Sequence, residues 1–490
     1  MDRERLEQHL TAPMGRGRRV PGAAHGSAGG AACGDLIRIS VRIDGDRVAA
    51  AGFDAEGCGA LTAAGSAAML LVDGEGVLDA ARVGTREIAA ELGGLSPGKL
   101  HAADLAADAL HRALGAAVRE GAALAPSPER TLIAMSGGVD SAVAALLVDR
   151  AGRDAVAVTL ELWADAANDA EASCCSAHAV RLARAVAHRM GMAHLTLDLR
   201  EEFRAGVVDP FLSGHAEGET PNPCVNCNGH VRLDAMVAYA DAVGAADLAT
   251  GHYARRSADG LLRAAADPAK DQTYMLAAVA PDTLARLRFP LGELTKPEVR
   301  AIAAEAGLPV AGRADSQDLC FLAGTGKAAF LARHGALGDA PGEIVDAAGQ
   351  VLGSHRGAHH FTIGQRKGIG VGATEPLYVL RTERSANRVV VGPRAALETR
   401  TVAVRGARLH REAAAVDRVK LRYRSRPVGC RVAGEGALAA GFHPRLELEL
   451  DEPVDGAAPG QTACLLAGDV VVGWATIGAS QRSASSTSAM

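Results

Sequence analysis

Thr131-Leu-Ile-Ala-Met135-Ser136-Gly-Gly-Val-Asp-Ser141-Ala-Val-Ala-Ala-Leu146 is the stretch that decides the fold. A short apolar run ends at Met135, two glycines follow, and an Ala-rich helical pattern begins at Ser141. Strand, glycine turn and helix in that order form a natural anion site. The glycines let the backbone approach a ligand closely. The amides at the helix start and the Ser136 and Ser141 hydroxyls can then cradle phosphate. Asp140 is placed to hold Mg²⁺ or to orient a pyrophosphate. The competing reading is a tight strand–helix turn that binds nothing. No Gly-Lys-Ser/Thr follows, so the loop is not a Walker A motif.

Outward from this loop, residues 130–335 alternate β-type runs with Ala-rich helices. Thr131 to Met135, Ala155 to Leu162, His194 to Leu199 and Leu248 to Thr250 read as strands. Ser141 to Arg150 and Ala177 to Met190 read as helices. Such alternation implies a parallel α/β sheet. After residue 340 helical periodicity gives way to strands at Arg388 to Val391, Val416 to Tyr423, Arg445 to Leu450 and Thr462 to Thr476. A polar, Pro-containing linker is expected at Ala125 to Arg130. The predicted division is an α+β domain (1–125), an α/β parallel-sheet domain (126–336), a central small β domain (337–397), a C-terminal β-barrel (398–478) and a disordered Ser/Thr-rich tail (479–490).

The 490 residues are 48% hydrophobic and 22% charged, ordinary for a globular protein, and the net charge of −5 excludes a general polycation. The charge is uneven: between Arg400 and Arg431 lie eight further basic residues against Glu412 and Asp417. A basic stripe suits a phosphate backbone, although a solvated strand face reads the same way. The N-terminus is charged from its second residue and the apolar runs are too short to span a bilayer, so a cytoplasmic protein without membrane contact is expected. Nine cysteines in such a chain point to metal or sulfur chemistry rather than disulfides.

Their spacing is specific. Thr220-Pro-Asn-Pro-Cys-Val-Asn-Cys-Asn228 sets a Cys-x-x-Cys behind two rigidifying prolines, and Asp315-Ser-Gln-Asp-Leu-Cys-Phe321 supplies a third thiol. Taken alone, Cys224 and Cys227 are half of a zinc site and Cys320 is a core residue. Together with the glycine loop, these segments resemble the tRNA-specific 2-thiouridylases of the ATP-pyrophosphatase superfamily. The likeness extends through Ala249-Thr-Gly-His-Tyr-Ala-Arg255, Lys270-Asp-Gln-Thr-Tyr-Met-Leu276, Phe289-Pro-Leu-Gly-Glu-Leu-Thr-Lys296, Phe361-Thr-Ile-Gly-Gln-Arg-Lys-Gly368, Leu421-Arg-Tyr-Arg424 and Pro459-Gly-Gln461.

The resemblance implies roles position by position. Ala134, Met135, Ser136, Gly137, Gly138, Val139, Asp140, Ser141, Leu160 and Gly251 correspond to ATP contacts. Cys227 corresponds to the nucleophile and Cys320 to its persulfide-carrying partner, with Asp140 as a further catalytic residue. Asn222, Pro223 and Cys224 correspond to the stretch that meets the target uridine. His252, Lys270, Asp271, Gln272, Arg422, Tyr423 and Gln461 correspond to tRNA contacts. ATP and Mg²⁺ are the implied cofactors. The partners are tRNA and a cysteine desulfurase or other sulfur donor.

The best-known members carry Asp where Cys224 stands. Three thiolates can hold three irons of a [4Fe–4S] cluster and leave the fourth for exogenous sulfide. Cluster, persulfide relay and zinc therefore stay open for Cys224, Cys227 and Cys320. Cys174 and Cys175 read as structural, and Cys430 and Cys464 as core.

Residues 1–122 have their own pattern. Ala32-Cys-Gly-Asp35 leads a strand from Leu36 to Ile43, and a second runs from Arg47 to Phe53. Gly57-Cys-Gly-Ala60 opens a helix, and a long helix after Pro97 carries Lys99 and His101. This resembles the iron–sulfur scaffold family of the IscU/NifU type. Cys33, Asp35, Cys58, Lys99 and His101 match its cluster site, but Ala102 stands where the third cysteine is expected. Cys33, Asp35, Cys58 and His101 remain candidates for one metal ion or a labile cluster. A different adenylating synthetase explains the glycine loop alone, and a non-catalytic iron–sulfur carrier explains the N-terminal segment alone.

Overall fold

The computed structural model describes residues 2–30, 34–121, 124–165, 176–314, 319–434 and 438–479. Cys33, Cys174, Cys175 and the tail from residue 480 lie outside the described residues. The chain forms two compact units. One comprises Met1–Glu201, Arg232–Tyr253 and Ala285–Gly324; the other comprises Glu202–Val231, Ala254–Leu284 and Thr325–Met490.

The first unit begins with an antiparallel sheet of β1 (Ala24–Gly29), β2 (Leu36–Asp44) and β3 (Arg47–Glu56), in the order β1-β2-β3. Ile37, Ile39 and Val41 alternate toward the buried face of β2, as period-two patterning requires. The helices Gly59–Val72 and Leu100–Gly121 cover that face. Sequence reading found β2 and β3 but missed β1, whose Ala-His-Gly-Ser-Ala-Gly composition carries no β signal; pairing with β2 imposes its conformation.

The α/β part has a parallel sheet of β4 (Ser127–Ala134), β5 (Asp154–Glu161), β6 (Ala193–Asp198) and β7 (Ala245–Ala249), with a short strand Leu287–Arg288. Its order is Leu287–Arg288, β7, β4, β5, β6. The expected alternation therefore holds, but the expected linker does not. Ser127 already pairs with Ala245, and the Leu124 amide donates to Ala242. The Leu100–Gly121 helix also packs on β6, and Gly115 lets it approach, since a Cβ there would sit 1.9 Å from the Thr196 carbonyl. The segments before and after residue 125 therefore pack together within one compact unit. Ion pairs join them too: buried Arg184 donates to Asp108 at 2.5 Å, and half-buried Arg112 to Glu161.

The second unit contains a four-stranded sheet, Val351–His355, Gly342–Val345, Arg388–Gly392 and Tyr378–Glu383, and a C-terminal barrel. The barrel runs Glu398–Leu409, Gly441–Asp455, Val428–Val432, Arg418–Lys420, Thr462–Ala467, Val470–Ile477, and closes where the first of these pairs with the last. Two expectations are corrected. The strand expected over Val416 to Tyr423 is only Arg418–Lys420, because Leu421 onward turns. The run from Thr462 to Thr476 is a hairpin, turned at Gly468 with φ +60°. Cys430 and Cys464 are buried in the barrel, as expected, and burial pushes both thiols up to about 12.

Candidate functional site

β4 is the switch point of the parallel sheet: the chain proceeds to β5 and β6 on one side and returns to β7 on the other. A crevice opens at the carboxyl ends of strands at such a point. Ser136–Ser141 lies there, followed by the helix Val139–Arg150, whose N-cap Gly138 offers no side-chain cap. Its first amides are therefore left for a ligand. Gly137 has φ +70°, and a Cβ would meet the Ala179 carbonyl at 2.7 Å, so only glycine fits. The Ser141 hydroxyl accepts from the Ser136 amide at 3.1 Å and donates to the Gly138 carbonyl at 3.1 Å, fixing the loop's curvature. Gly251, just past β7, packs on the Asp140–Ser141 backbone, where a Cβ would stand 2.8 Å from the Ser141 nitrogen. Met135 and Leu160 are buried beside it and Ala134 is half-buried. Ala134, Met135, Ser136–Ser141, Leu160 and Gly251 thus fall on adjoining strand ends and loops of one crevice.

Sequence reading missed three groups here. Lys296 donates to both Asp140 oxygens, at 2.7 and 2.9 Å, and the Tyr253 hydroxyl donates to Asp140 Oδ1 at 2.8 Å. Arg313 donates to the Gly137 carbonyl at 2.9 Å. Lys296 and Tyr253 lay within segments already singled out, but no local pattern shows that residues 156 and 113 positions apart share one carboxylate.

His252, expected to meet tRNA, follows Gly251 directly. Its Nε2 lies 3.0 Å from the Arg232 guanidinium, which can only donate, so its Nδ1 carries the proton toward Thr250 Oγ1, also at 3.0 Å. Burial and the Arg232 charge push this imidazole down to about 3, so it stays neutral.

In the second unit, Asn222 caps the one-turn helix Pro223–Cys227, its side chain accepting from the Val225 amide. Cys224 and Cys227 are three residues apart and share a helix face, the former half-buried and the latter buried. The segment leading to them is fastened to the barrel. The Thr220 amide donates to Pro459, Gln461 Nε2 donates to the Thr220 carbonyl at 2.6 Å, and Arg405 pairs with Glu219. Gln461 therefore positions the Cys-x-x-Cys approach. Tyr423 stands 6.3 Å from the Tyr274 ring; burial chiefly raises its phenol, with the Cys224 thiol among the charges acting on it. Asp271 accepts from the Ala265 amide and the Thr273 hydroxyl and faces Lys420 at 3.8 Å, so its carboxylate fastens a loop. Lys270 and Gln272 flank it, half-buried.

The basic stripe is largely neutralised. Arg405, Arg411, Arg418 and Arg431 pair with Glu219, Asp259, Asp417 and Glu449. Arg422, Arg424 and Arg426 are exposed, and Arg422 donates to the Gly456 carbonyl at 3.0 Å. Cys320 is half-buried in a turn of the first unit, and residues 315–318 before it lie outside the described residues.

A separate ligand set lies on the N-terminal sheet. One donor atom each from Asp35, Cys58 and His101 falls within 4.8 Å of the others. Asp35 accepts from the Cys58 amide at 2.9 Å and lies 3.1 Å from His101 Nε2; the Cys58 thiol donates to it at 3.5 Å. Those hydrogen bonds, that of the Cys58 amide above all, hold the Asp35 carboxyl below its ordinary range despite burial. Gly57 permits the approach, since a Cβ would stand 2.0 Å from Asp35 Oδ1. Carboxylate, thiol and imidazole at this spacing fit one iron or zinc ion. Ala102 is fully buried and adds no donor, while Lys99 ends the turn Pro97–Lys99 before the helix bearing His101.

Comparison with known families and proteins covers nearly the whole chain. Residues 1–120 match the NifU-like N terminal domain and 129–324 the tRNA methyl transferase HUP domain. Residues 328–393 match the tRNA methyl transferase PRC-barrel domain and 405–477 the Aminomethyltransferase beta-barrel domain. The chain is 43% identical over 474 residues to a bifunctional protein NifU/MnmA of Rubrobacter xylanophilus, covering 94% of each chain. It is 44% identical over 355 residues to a tRNA-specific 2-thiouridylase MnmA of Methylorubrum extorquens, covering 70% of this chain and 91% of that one. A relative of the same name from Cereibacter sphaeroides is 42% identical over 351 residues, covering 70% and 92%.

Proposed function

We propose, from the premise that this chain belongs to the NifU/MnmA family of tRNA-specific 2-thiouridylases, that it replaces the C2 oxygen of a tRNA uridine, the wobble uridine, with sulfur at the expense of ATP. The observation that carries this is the glycine loop and uncapped helix start at the β4 switch point, in a chain that also bears a capped, barrel-fastened Cys-x-x-Cys. The family also shows that the chain is a tRNA sulfurtransferase enzyme.

The C2 carbonyl is a poor electrophile. Its oxygen attacks the α-phosphate of ATP, pyrophosphate leaves, and the resulting O-adenylate is a good leaving group. The terminal sulfur of a Cys320 persulfide then adds at C2 and AMP departs, leaving the base joined to Cys320 through a disulfide. The Cys227 thiolate attacks Cys320 Sγ, releasing the 2-thiouridine thiolate and forming a Cys227–Cys320 disulfide, which an external dithiol reduces. A sulfur donor such as a cysteine desulfurase renews the persulfide. Mg²⁺ is a hard cation that takes carboxylate and phosphate oxygens; Asp140 is the residue that would hold it here.

A second reading has a specific support. Cys224 adds a third thiol on the same helix face as Cys227, and Cys224, Cys227 and Cys320 would hold a [4Fe–4S] cluster able to present sulfide. Asp35, Cys58 and His101, with Cys33, would bind iron or zinc in the NifU-like domain and hand iron or sulfur onward. A cytoplasmic protein fits this work; among the described residues no helix is long and apolar enough to cross a membrane.

The test is anaerobic single-turnover thiolation of unmodified tRNA by Cys224→Asp, Cys227→Ala and Cys320→Ala in the full chain carrying Cys58→Ala, which empties the N-terminal site, with iron quantified. Activity lost in all three together with iron selects the cluster. An active, iron-free Cys224→Asp beside inactive Cys227→Ala and Cys320→Ala selects the persulfide. Normal thiolation by Cys227→Ala would overturn both.

A further inference from the structure

We propose that Lys296 is the cation that takes the pyrophosphate portion of ATP, and that the loop stores it on Asp140 until the nucleotide arrives. This rests on the reading of Ser136–Ser141 as the nucleotide loop and assigns that site a residue the loop itself does not contain.

A triphosphate entering the loop meets the Asp140 carboxylate. Like charges in a partly buried loop repel far more strongly than in bulk water, so cations must stand between them. A metal ion held by Asp140 would be one. The described residues bring one ammonium onto Asp140, that of Lys296, whose side chain is 9% exposed. It contacts both oxygens of Asp140 and is the group that must be released before the carboxylate can face a metal ion.

The Lys296 backbone cannot move far. It is the first residue of the helix Lys296–Glu305, and Thr295 and Glu298 close a capping box around it, with the Thr295 amide donating to Glu298 at 2.7 Å. Its four-carbon stem can swing while its Cα stays fixed. Arg300 of the same helix donates to the Ala311 and Arg313 carbonyls, and Arg313 grips the Gly137 carbonyl. Helix, following segment and glycine loop are thus coupled, which places the Lys296 ammonium beside the loop whether or not it touches Asp140. Tyr253 stays on Asp140 when the ammonium leaves, so the carboxylate keeps its aim. A lysine serving only to neutralise Asp140 would leave affinity for phosphate unchanged once a metal ion replaced it; a lysine that transfers to the phosphates would not.

The experiment is isothermal titration of the full chain with ATP, AMP and inorganic pyrophosphate, with and without Mg²⁺, on the parent, Lys296→Met, Lys296→Arg and Asp140→Asn. Lys296→Met is expected to weaken Mg²⁺-pyrophosphate and ATP by about 10- to 100-fold, the loss of one or two charged hydrogen bonds, and AMP by less than about twofold. Lys296→Arg keeps most of the affinity. Asp140→Asn frees the ammonium, so metal-free pyrophosphate binds tighter than to the parent while the gain from Mg²⁺ disappears. Lys296→Met that binds pyrophosphate like the parent, or that loses ATP and AMP alike, overturns the assignment. Should Lys296→Met fail to fold by thermal melting, Asp140→Asn decides, and unchanged metal-free pyrophosphate binding there overturns it. A parent that binds no ATP instead overturns the nucleotide-loop reading beneath it.

Discussion

Asp108→Ala should destabilise the first unit more than any surface change. Asp108 and Arg184 are each buried to within a few per cent, their contact is 2.5 Å, and Arg181 approaches the other oxygen at 3.7 Å. They join the Leu100–Gly121 helix to the Ala177–Arg189 helix. Removing the carboxylate leaves the Arg184 guanidinium buried without its counter-charge beside neutral imidazoles, since Arg184 already opposes protonation of His111, His188 and His194. Breaking such a pair costs about 3–5 kcal/mol. For a body of this size each kcal/mol lowers Tm by about 2–4 °C, giving a fall of about 6–20 °C. The assay is urea unfolding followed by Trp163 fluorescence in a Trp474→Phe background, so that the barrel tryptophan is silent. Asp108→Ala/Arg184→Met should recover much of the loss, because it removes the stranded charge. A single-variant loss below about 1 kcal/mol, or a double variant no better than the single, would refute the reasoning.

The same junction carries a pH dependence. Burial holds His188 down to about 4 and also pushes His111 and His194 well down, with Arg184 and Arg86 opposing and Glu87 favouring protonation of His188. Unfolded histidines bind protons near pH 6.5, so between about pH 6.5 and 4 the unfolded chain holds more protons and stability falls as pH falls. Urea midpoints at pH 7 and 5 should show this, and His188→Gln should flatten the slope by about one proton. Asp35→Ala should weaken zinc binding to the N-terminal site by at least about tenfold in a competition titration, whereas Lys99→Ala should not, because the donor set is Asp35, Cys58 and His101. Arg424→Ala should lower the slope of log affinity for tRNA against log salt by roughly 0.7–0.9, and an unchanged slope would place the RNA backbone elsewhere. Gln461→Ala should reduce thiolation while leaving ATP affinity intact, since its bond holds Thr220 and not the phosphate loop.

Local chemistry was sufficient for much of this protein. Thr131–Ser141 announces strand, glycine turn and helix, because apolar run length, two adjacent glycines and Ala-rich periodicity are properties of neighbouring residues. The Cys-x-x-Cys behind two prolines and the Cys-Gly-Asp and Gly-Cys-Gly pair are equally local, and they sufficed for the family resemblance. Sequence could not show that Asp140, Tyr253 and Lys296 share one carboxylate, because parallel-sheet order brings distant segments to one edge and leaves no mark in either neighbourhood. Nor could it show that Ser127–Arg130 of the expected linker is the start of β4, since Ser and Pro there are overruled by pairing with β7. The buried Asp108–Arg184 pair belongs to the same class: each side chain reads as solvated until a helix from the N-terminal domain is laid on the sheet of the next. What depended on neighbours along the chain was legible; what depended on which surfaces meet, and on which charges are thereby removed from water, only the tertiary structure decided.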